Sequence, residues 1–319
     1  MSAGAAQGAG RLGRIACLGE VMVEVARAPD GTARVGVAGD SYNTAVYLAR
    51  SLRGAGRVAY VTALGDDPQS ARILAALRDE GLDCAHVARI AGAMPGLYMI
   101  DTDAGGERRF SYWRATSAAR RMFDADSPLA SAPPQGFGLV YLTGISLAIL
   151  PAPARDRLAG WLAAHHRAGG RVAFDPNFRP ALWPDLATAR AETMRFAALA
   201  DIAFPSFDDE TALFGPAPEG AVIDRYAAAG VRQGALKCGA GGAIALDGSQ
   251  ARHTASPSVR VVDTTAAGDS FNAGYLAALD QGAAGAACLA AGAALAERVI
   301  GWRGAILPRS GLAGDAPAV

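Results

Sequence analysis

The chain has 319 residues, 51% of them hydrophobic, with 30 basic and 30 acidic side chains and no formal net charge. That is enough apolar material for one large α/β domain or two smaller ones. Zero net charge with scattered basic residues leaves no electrostatic case for nucleic acid or an anionic membrane surface as a partner.

Residues 1–13 read as a disordered start. Met1 to Gly10 is uncharged and rich in Ala and Gly, without the basic region and apolar core of a secretion signal. A Gly-x-Gly-x-x-Gly string at Gly8–Gly13 precedes the first strand instead of following it, so the dinucleotide-binding context fails. Ile15 to Val25 predicts the first strand. A Pro29-Asp30-Gly31 turn then separates two short β-like runs that end near Val37. A helix follows through Tyr42, Val46, Leu48 and Leu52, then a strand over 58–64 and a helix over 69–79 stopped by Gly81. Strand, helix, strand, helix is the rhythm of a parallel sheet with crossover helices.

Two β-like runs, 97–102 and 107–114, break that rhythm. The turn signal Asp103-Ala104-Gly105-Gly106 joins them into a predicted hairpin. With the segment near 26–37, the segment near 96–115 is expected to form a small sheet over the main one. The α/β alternation then resumes: strands at 139–143, 172–175, 202–204 and 235–238, and helices at 154–168, 187–200 and 221–229. An apolar run over 259–262 predicts a late strand, followed by a helix carrying Phe271, Tyr275, Leu276 and Leu279 on one face. The Ala-rich stretch 285–296 is shorter than the ~18–20 residues that span a bilayer, and reads as a packed core helix. No linker divides the chain, so residues 14–310 are expected to form one domain with a β lid.

The four cysteines, Cys17, Cys84, Cys238 and Cys288, have no Cys-x-x-Cys spacing, and the four histidines match no metal-binding pattern. Reduced thiols and a cytoplasmic location are the expectation.

The chemistry concentrates at Asp263-Thr264-Thr265-Ala266-Ala267-Gly268-Asp269-Ser270-Phe271-Asn272-Ala273-Gly274. Small residues let a backbone approach a ligand closely, and the free N–H groups of the new helix suit an anion. Asp269 in the first turn commonly only complements the helix dipole. Beside a phosphate cradle it can instead accept a proton from an attacking hydroxyl.

This string resembles the second signature of the PfkB sugar kinases, the ribokinase-like family, with Ala266 where most members have Gly. Thr-Ala-Ala-Gly-Asp-Ser-Phe is similar to the 2-keto-3-deoxygluconate kinase branch, as is Glu107 to Arg114 (ERRFSYWR). Ala38-Gly39-Asp40-Ser41-Tyr42-Asn43 resembles the first signature, with Ala38 in place of Gly. The likeness runs from about residue 15 to residue 305.

The resemblance implies a three-layer α/β/α sandwich with a mostly parallel central sheet and a small β lid. It implies ATP-dependent phosphorylation of 2-keto-3-deoxy-D-gluconate, with ATP and Mg²⁺ as cofactors. Asp269 would be a low-pKa general base, and the backbone of Ala266, Ala267 and Gly268 the anion hole. Gly39, Asp40, Asn43, Tyr98, Tyr112, Arg114 and Arg179 would contact the sugar acid, with Arg114 on its carboxylate. Asn177, Ser206, Lys237, Gly239, Gly242 and Asn272 would contact the nucleotide. No residue would bind Mg²⁺ directly; Asp209, or Glu210 if the motif slips by one, would order its waters. A homodimer through the lid is expected. A kinase for a neutral sugar such as fructose or ribose, and a non-catalytic sugar or nucleotide sensor, remain alternatives on the same fold.

Overall fold

A computed structural model of the chain describes residues 12–309, except 29, 53, 55, 103–107, 250 and 257–258. The expected disordered start up to residue 11 and the expected turn at 103–106 lie outside these. The elements are β1 (Ile15–Leu18), β2 (Met22–Arg27), β3 (Ala33–Ala38), α1 (Asp40–Ser51), β4 (Val58–Leu64), α2 (Pro68–Asp79), β5 (Val87–Arg89), β6 (Leu97–Thr102) and β7 (Arg108–Trp113). There follow α3 (Pro128–Ser131), β8 (Leu139–Thr143), α4 (Gly144–Ile149), α5 (Ala152–Arg167), β9 (Arg171–Asp175), α6 (Leu186–Ala197), β10 (Ile202–Ala203), α7 (Phe207–Phe214) and α8 (Glu219–Ala229). The last are β11 (Gln233–Lys237), β12 (Ala243–Ala245), β13 (Arg252–His253), α9 (Ala267–Asp280) and α10 (Ala286–Ile300).

The main sheet runs β13-β12-β11-β10-β9-β8-β1-β4-β5. It is parallel from β11 to β5, with β12 and β13 antiparallel at one edge. Both faces are covered, which is why its strands read as unbroken apolar runs. Along β1, Ile15 and Cys17 enter a core shared with α1, α2, α9 and α10. Ala16 and Leu18 enter a second core with α5, α6 and α8. This is the expected three-layer arrangement. The order reverses at β1, whose neighbours are β8 and β4. Open α/β sheets bind ligands beyond the strand C-termini at such a switch point.

The lid is a second sheet of order β3-β2-β6-β7, and β6 and β7 form the expected hairpin pair. Its first segment begins at Met22 and not near residue 26, because the predicted strand 15–25 is two strands in two sheets. The break falls at Gly19-Glu20-Val21. A Cβ on Gly19 would lie 2.2 Å from Ser41 Oγ, so only glycine lets the chain leave the main sheet there.

The predicted strand over 259–262 does not form. Val262 and Asp263 instead donate to the Ile300 carbonyl at the end of α10. Val261 and Val262 are exposed, so apolarity there does not mark a core element. The Ala-rich stretch becomes α10, packed closely on α9: a Cβ on Gly274 would lie 2.6 Å from the Ala291 carbonyl oxygen. That contact fixes α9, whose N-terminus faces the cleft. Among the described residues no helix is long and apolar enough to cross a membrane.

Candidate active site

A cleft of about 670 Å³ opens between the C-terminal end of the main sheet and the lid. Every site residue expected from the sequence lines it except Asn272 and Glu210. Glu210 is buried and held by Arg225 and by the Tyr226 hydroxyl at 2.7 Å, so the slipped frame that would put it beside Mg²⁺ waters is corrected. Asp209, one residue earlier, faces the cleft. Asn272 lies fully buried beneath the floor, where its side-chain amide donates to Asp175 Oδ2 at 2.6 Å and to the Tyr141 hydroxyl at 3.0 Å. It supports the floor of the cleft without reaching it, so its expected contact with the nucleotide is corrected.

The floor is a hydrogen-bonded array at element ends. Thr143 closes β8, Asp175 closes β9 and Lys237 closes β11. Asp40 opens α1 and accepts from Thr143 Oγ1 at 2.5 Å and from Asn177 Nδ2 at 3.0 Å. One turn on, Asn43 Nδ2 donates to Asp269 Oδ2 at 2.8 Å. Lys237 Nζ pairs with Asp175 Oδ2 at 2.7 Å. Asp175 was not among the expected site residues. Its one signal was an acid closing an apolar run at a strand's C-terminal end.

At the start of α9, Ala266 has φ of 62°, and Asn177 is the other described non-glycine residue with positive φ, at 34°. The left-handed conformation at 266 explains why Gly is usual there, since a Cβ costs roughly 1–2 kcal/mol in that region. The turn also corrects the anion hole: the Ala267 N–H already donates to the Thr264 carbonyl at 3.2 Å. Among the described residues no acceptor takes the amides of Ala266, Gly268 or Asp269, so these three are available to an anion. Gly268 is the open member of the set; a Cβ there would stand 3.3 Å from Lys237 Nζ.

The Asp269 carboxyl is raised to about 8, first by burial and then by the neighbouring charge of Asp40, against the lowering effect of Asn43. The low-pKa carboxylate expected at a helix N-terminus is therefore corrected. Desolvation and a like charge outweigh the helix end. Asp209 is also raised, by burial, with Arg179 acting against it.

Gly239 and Gly242 lie in the β11–β12 hairpin. Gly242 has φ of 88° and a Cβ there would lie 1.9 Å from the His253 carbonyl oxygen, so the hairpin itself demands this glycine. Ser206 precedes α7 and forms a bridge to Lys237. A Cβ on Gly39 would sit 2.4 Å from the Glu20 carbonyl oxygen, which ties the start of α1 to the lid's root.

The lid contributes a row of rings, Tyr98, Tyr112 and Phe110, with centroids 5.7–6.4 Å apart. Tyr112 and Phe110 are exposed, while Tyr98 is buried and donates its hydroxyl to Glu24. Arg114 follows β7 and lines the cleft, but it is ion-paired with the buried Glu20. Arg179 is half exposed and only loosely engaged with Asp209, at 3.5 Å. Neither glutamate, Glu20 or Glu24, was legible in the sequence as a partner of a lid side chain.

Residues 13–310 match the pfkB family carbohydrate kinases. The chain is 41% identical over 300 residues to a 2-dehydro-3-deoxygluconokinase of Dickeya dadantii (strain 3937), covering 92% of this chain and 96% of that one. It is 40% identical over 305 residues to a 2-dehydro-3-deoxygluconokinase of Escherichia coli (strain K12), covering 94% and 98%. Among solved structures, a fructokinase from Vibrio cholerae O395 in a fructose, ADP and calcium ion bound form superposes with a TM-score of 0.78 at 25% identity, over 92% of this chain and 94% of the other. Open amides at a helix N-terminus with a carboxylate in its first turn, under a β lid on a ribokinase-like sandwich, agree with these matches, and the chain belongs to the pfkB family of carbohydrate kinases.

Proposed function

We propose that the protein transfers the γ-phosphoryl group of ATP to the 6-hydroxyl of 2-keto-3-deoxy-D-gluconate. The observation that carries this is the cleft itself. Asp269 and the free amides of α9 share its floor, and two arginines, Arg114 and Arg179, face it from the lid and from the end of β9. ATP lies along Lys237–Gly242 and the start of α9, and the sugar acid lies under the lid.

Asp269 takes the proton of the attacking hydroxyl. Its raised pKa brings it nearer the operating pH, where a general base works best. Asn43 holds one carboxylate oxygen by its 2.8 Å hydrogen bond, so the other is left for the hydroxyl. Asp40 holds sugar hydroxyls, and Asn177, expected on the nucleotide, is taken to the sugar side because it donates to Asp40 at 3.0 Å. Phosphoryl transfer through a loose transition state needs positioning and charge stabilisation above all. The amides of Ala266, Gly268 and Asp269 supply the latter, with Lys237 oriented by Asp175. Asp209 offers one carboxylate at the cleft wall. That suits Mg²⁺ held by the substrate phosphates, whose waters Asp209 would order. When bound, Mg²⁺ neutralises phosphate charge.

A second reading has one observation in its favour: Glu20 already offsets the charge of Arg114. A neutral hexose such as fructose would then be the substrate. An ADP-release assay across sugar acids and neutral sugars separates the two. Turnover with the 2-keto-3-deoxy acid well above that with fructose is expected; the reverse would replace the first reading with the second.

The lid also suits a homodimer. β7 is an edge strand, and Phe110, Tyr112 and Trp113 on it are exposed.

A further inference from the structure

The root of the lid carries a buried charge pair that lies outside the catalytic floor. Glu20 sits in the link from β1 to β2, and Arg114 stands immediately after β7. A third link is packed against both: a Cβ on Gly96, just before β6, would lie 2.7 Å from Glu20 Oε1 and 3.2 Å from Arg114 Cβ. Glu20 is 1% exposed and does not line the cleft, whereas Arg114 does.

The pair is not a fully satisfied one. Glu20 Oε1 accepts from Ser117 Oγ. Glu20 Oε2 touches Arg114 Nη2 as an ion pair, yet Oε2, Nη2 and Nε are all buried without a well-formed hydrogen bond among the described residues. A guanidinium fork that could grip a carboxylate through two parallel bonds here meets Glu20 through Nη2. Burial raises the Glu20 carboxyl, and Arg114 pulls it back. Glu20 therefore depends on Arg114 for its charge, while Arg114 also lines the cleft and is the cation that a bound carboxylate would share with it.

Resting on the sugar-acid reading above, we propose that Glu20 is an internal counter-ion which competes with the substrate's carboxylate for Arg114. It thereby sets the preference between acid and neutral sugars without contacting either. In the free protein Glu20 supplies the negative charge that Arg114 needs. An incoming carboxylate gains Arg114 only by weakening that pair. Glu20 is in this sense a positioning residue, and its presence restrains acid affinity while keeping the empty lid root neutral.

The test is Glu20→Gln, which keeps the shape and the Ser117 contact but removes the charge. Arg114 then has no counter-charge until an acid binds. KM for 2-keto-3-deoxygluconate should fall about tenfold, the scale of one charge-assisted contact. KM for fructose and both kcat values should stay within about twofold on the same scale. The melting temperature without ligand should drop, and the acid, but not fructose, should restore it. A purely structural role for Glu20 would lower the melting temperature and leave the acid-to-neutral KM ratio unchanged, and that result overturns the proposal. So does a rise in KM for the acid. If Glu20→Gln does not fold even with the acid present, Glu20→Asp decides: its carboxylate is drawn back by one methylene, so the ratio should shift the same way by less, and an unchanged ratio is again fatal. An Arg114→Leu control separates the two levels. If it spares acid turnover, the sugar-acid role of Arg114 is wrong. If it impairs acid use while Glu20→Gln leaves the ratio alone, only the competition is wrong.

Discussion

The two walls of the cleft are built differently. On the floor, side chains from β8, β9, β11, α1 and α9 hold one another in short hydrogen bonds: Asp40 to Thr143 and Asn177, Asn43 to Asp269, Asp175 to Lys237 and Asn272. The lid presents a ring row that is half exposed and one cation already paired at its root. A reaction centre needs groups fixed before the substrate arrives. A selectivity element needs surface that the right ligand covers and the wrong one does not. The proposed function puts phosphoryl transfer on the floor and choice of sugar on the lid.

The largest effect should come from the floor. Asp269→Asn should lower kcat by roughly 10²–10⁴, the usual scale for a general acid–base group, with ATP affinity measured by calorimetry nearly intact. Near-normal turnover would remove Asp269 from the mechanism. On the lid, Arg114→Leu should raise KM for the sugar acid by roughly ten- to a hundredfold, a charge-assisted contact of about 1.5–3 kcal/mol, while steady-state kinetics with fructose barely change.

The pH dependence follows from the raised Asp269. Its folded pKa, about 8, stands above the unfolded value of 3.8, so the folded protein holds an extra proton between them. The stability this group contributes is complete below the unfolded pKa and is lost as pH rises through about 8. Activity at limiting substrate is expected to move the other way, rising with pH and levelling above that point, because the proposed base works only when ionised. Thermal melts of wild type and Asp269→Asn at acid and alkaline pH should show the variant gaining relative stability as pH rises. A constant difference would mean that Asp269 is not perturbed.

A smaller effect belongs to the backbone beneath the anion hole. Ala266→Gly relieves a left-handed Ala and should stabilise the fold by about 1 kcal/mol, a rise of roughly 2 °C in Tm. A fall in Tm would show that the extra chain entropy of Gly outweighs the strain. The lid's edge makes a non-catalytic prediction: Trp113→Lys on β7 should shift a dimer toward monomer in light scattering. A wild-type protein that is monomeric at micromolar concentration would remove the dimer.

Much of this was legible because it is local. Apolar runs bounded by Gly and Pro gave the main strands, and the departure at 97–114 from the βα rhythm marked the lid. The strand at 15–25 was over-extended because Glu20 interrupts the apolar run for a single residue, and its partner Arg114 lies 94 positions away by their sequence numbers. The false strand at 259–262 was apolar for no core, and no periodicity distinguishes that case. Asp175 and Glu24 escaped for the same reason as Glu20: a carboxylate is identified by what it meets in space. Ala266 was noted as a departure from Gly, but its positive φ needed coordinates.

The division between floor and lid is tested most directly by one ratio. It is kcat/KM for 2-keto-3-deoxygluconate over kcat/KM for fructose, measured in wild type, Asp269→Asn and Arg114→Leu. The account predicts a ratio well above one in wild type. Asp269→Asn should leave it unchanged as both rates collapse together, and Arg114→Leu should lower it roughly ten- to a hundredfold. A wild-type preference for fructose, or an Arg114→Leu variant that penalises acid and neutral sugar equally, would contradict it.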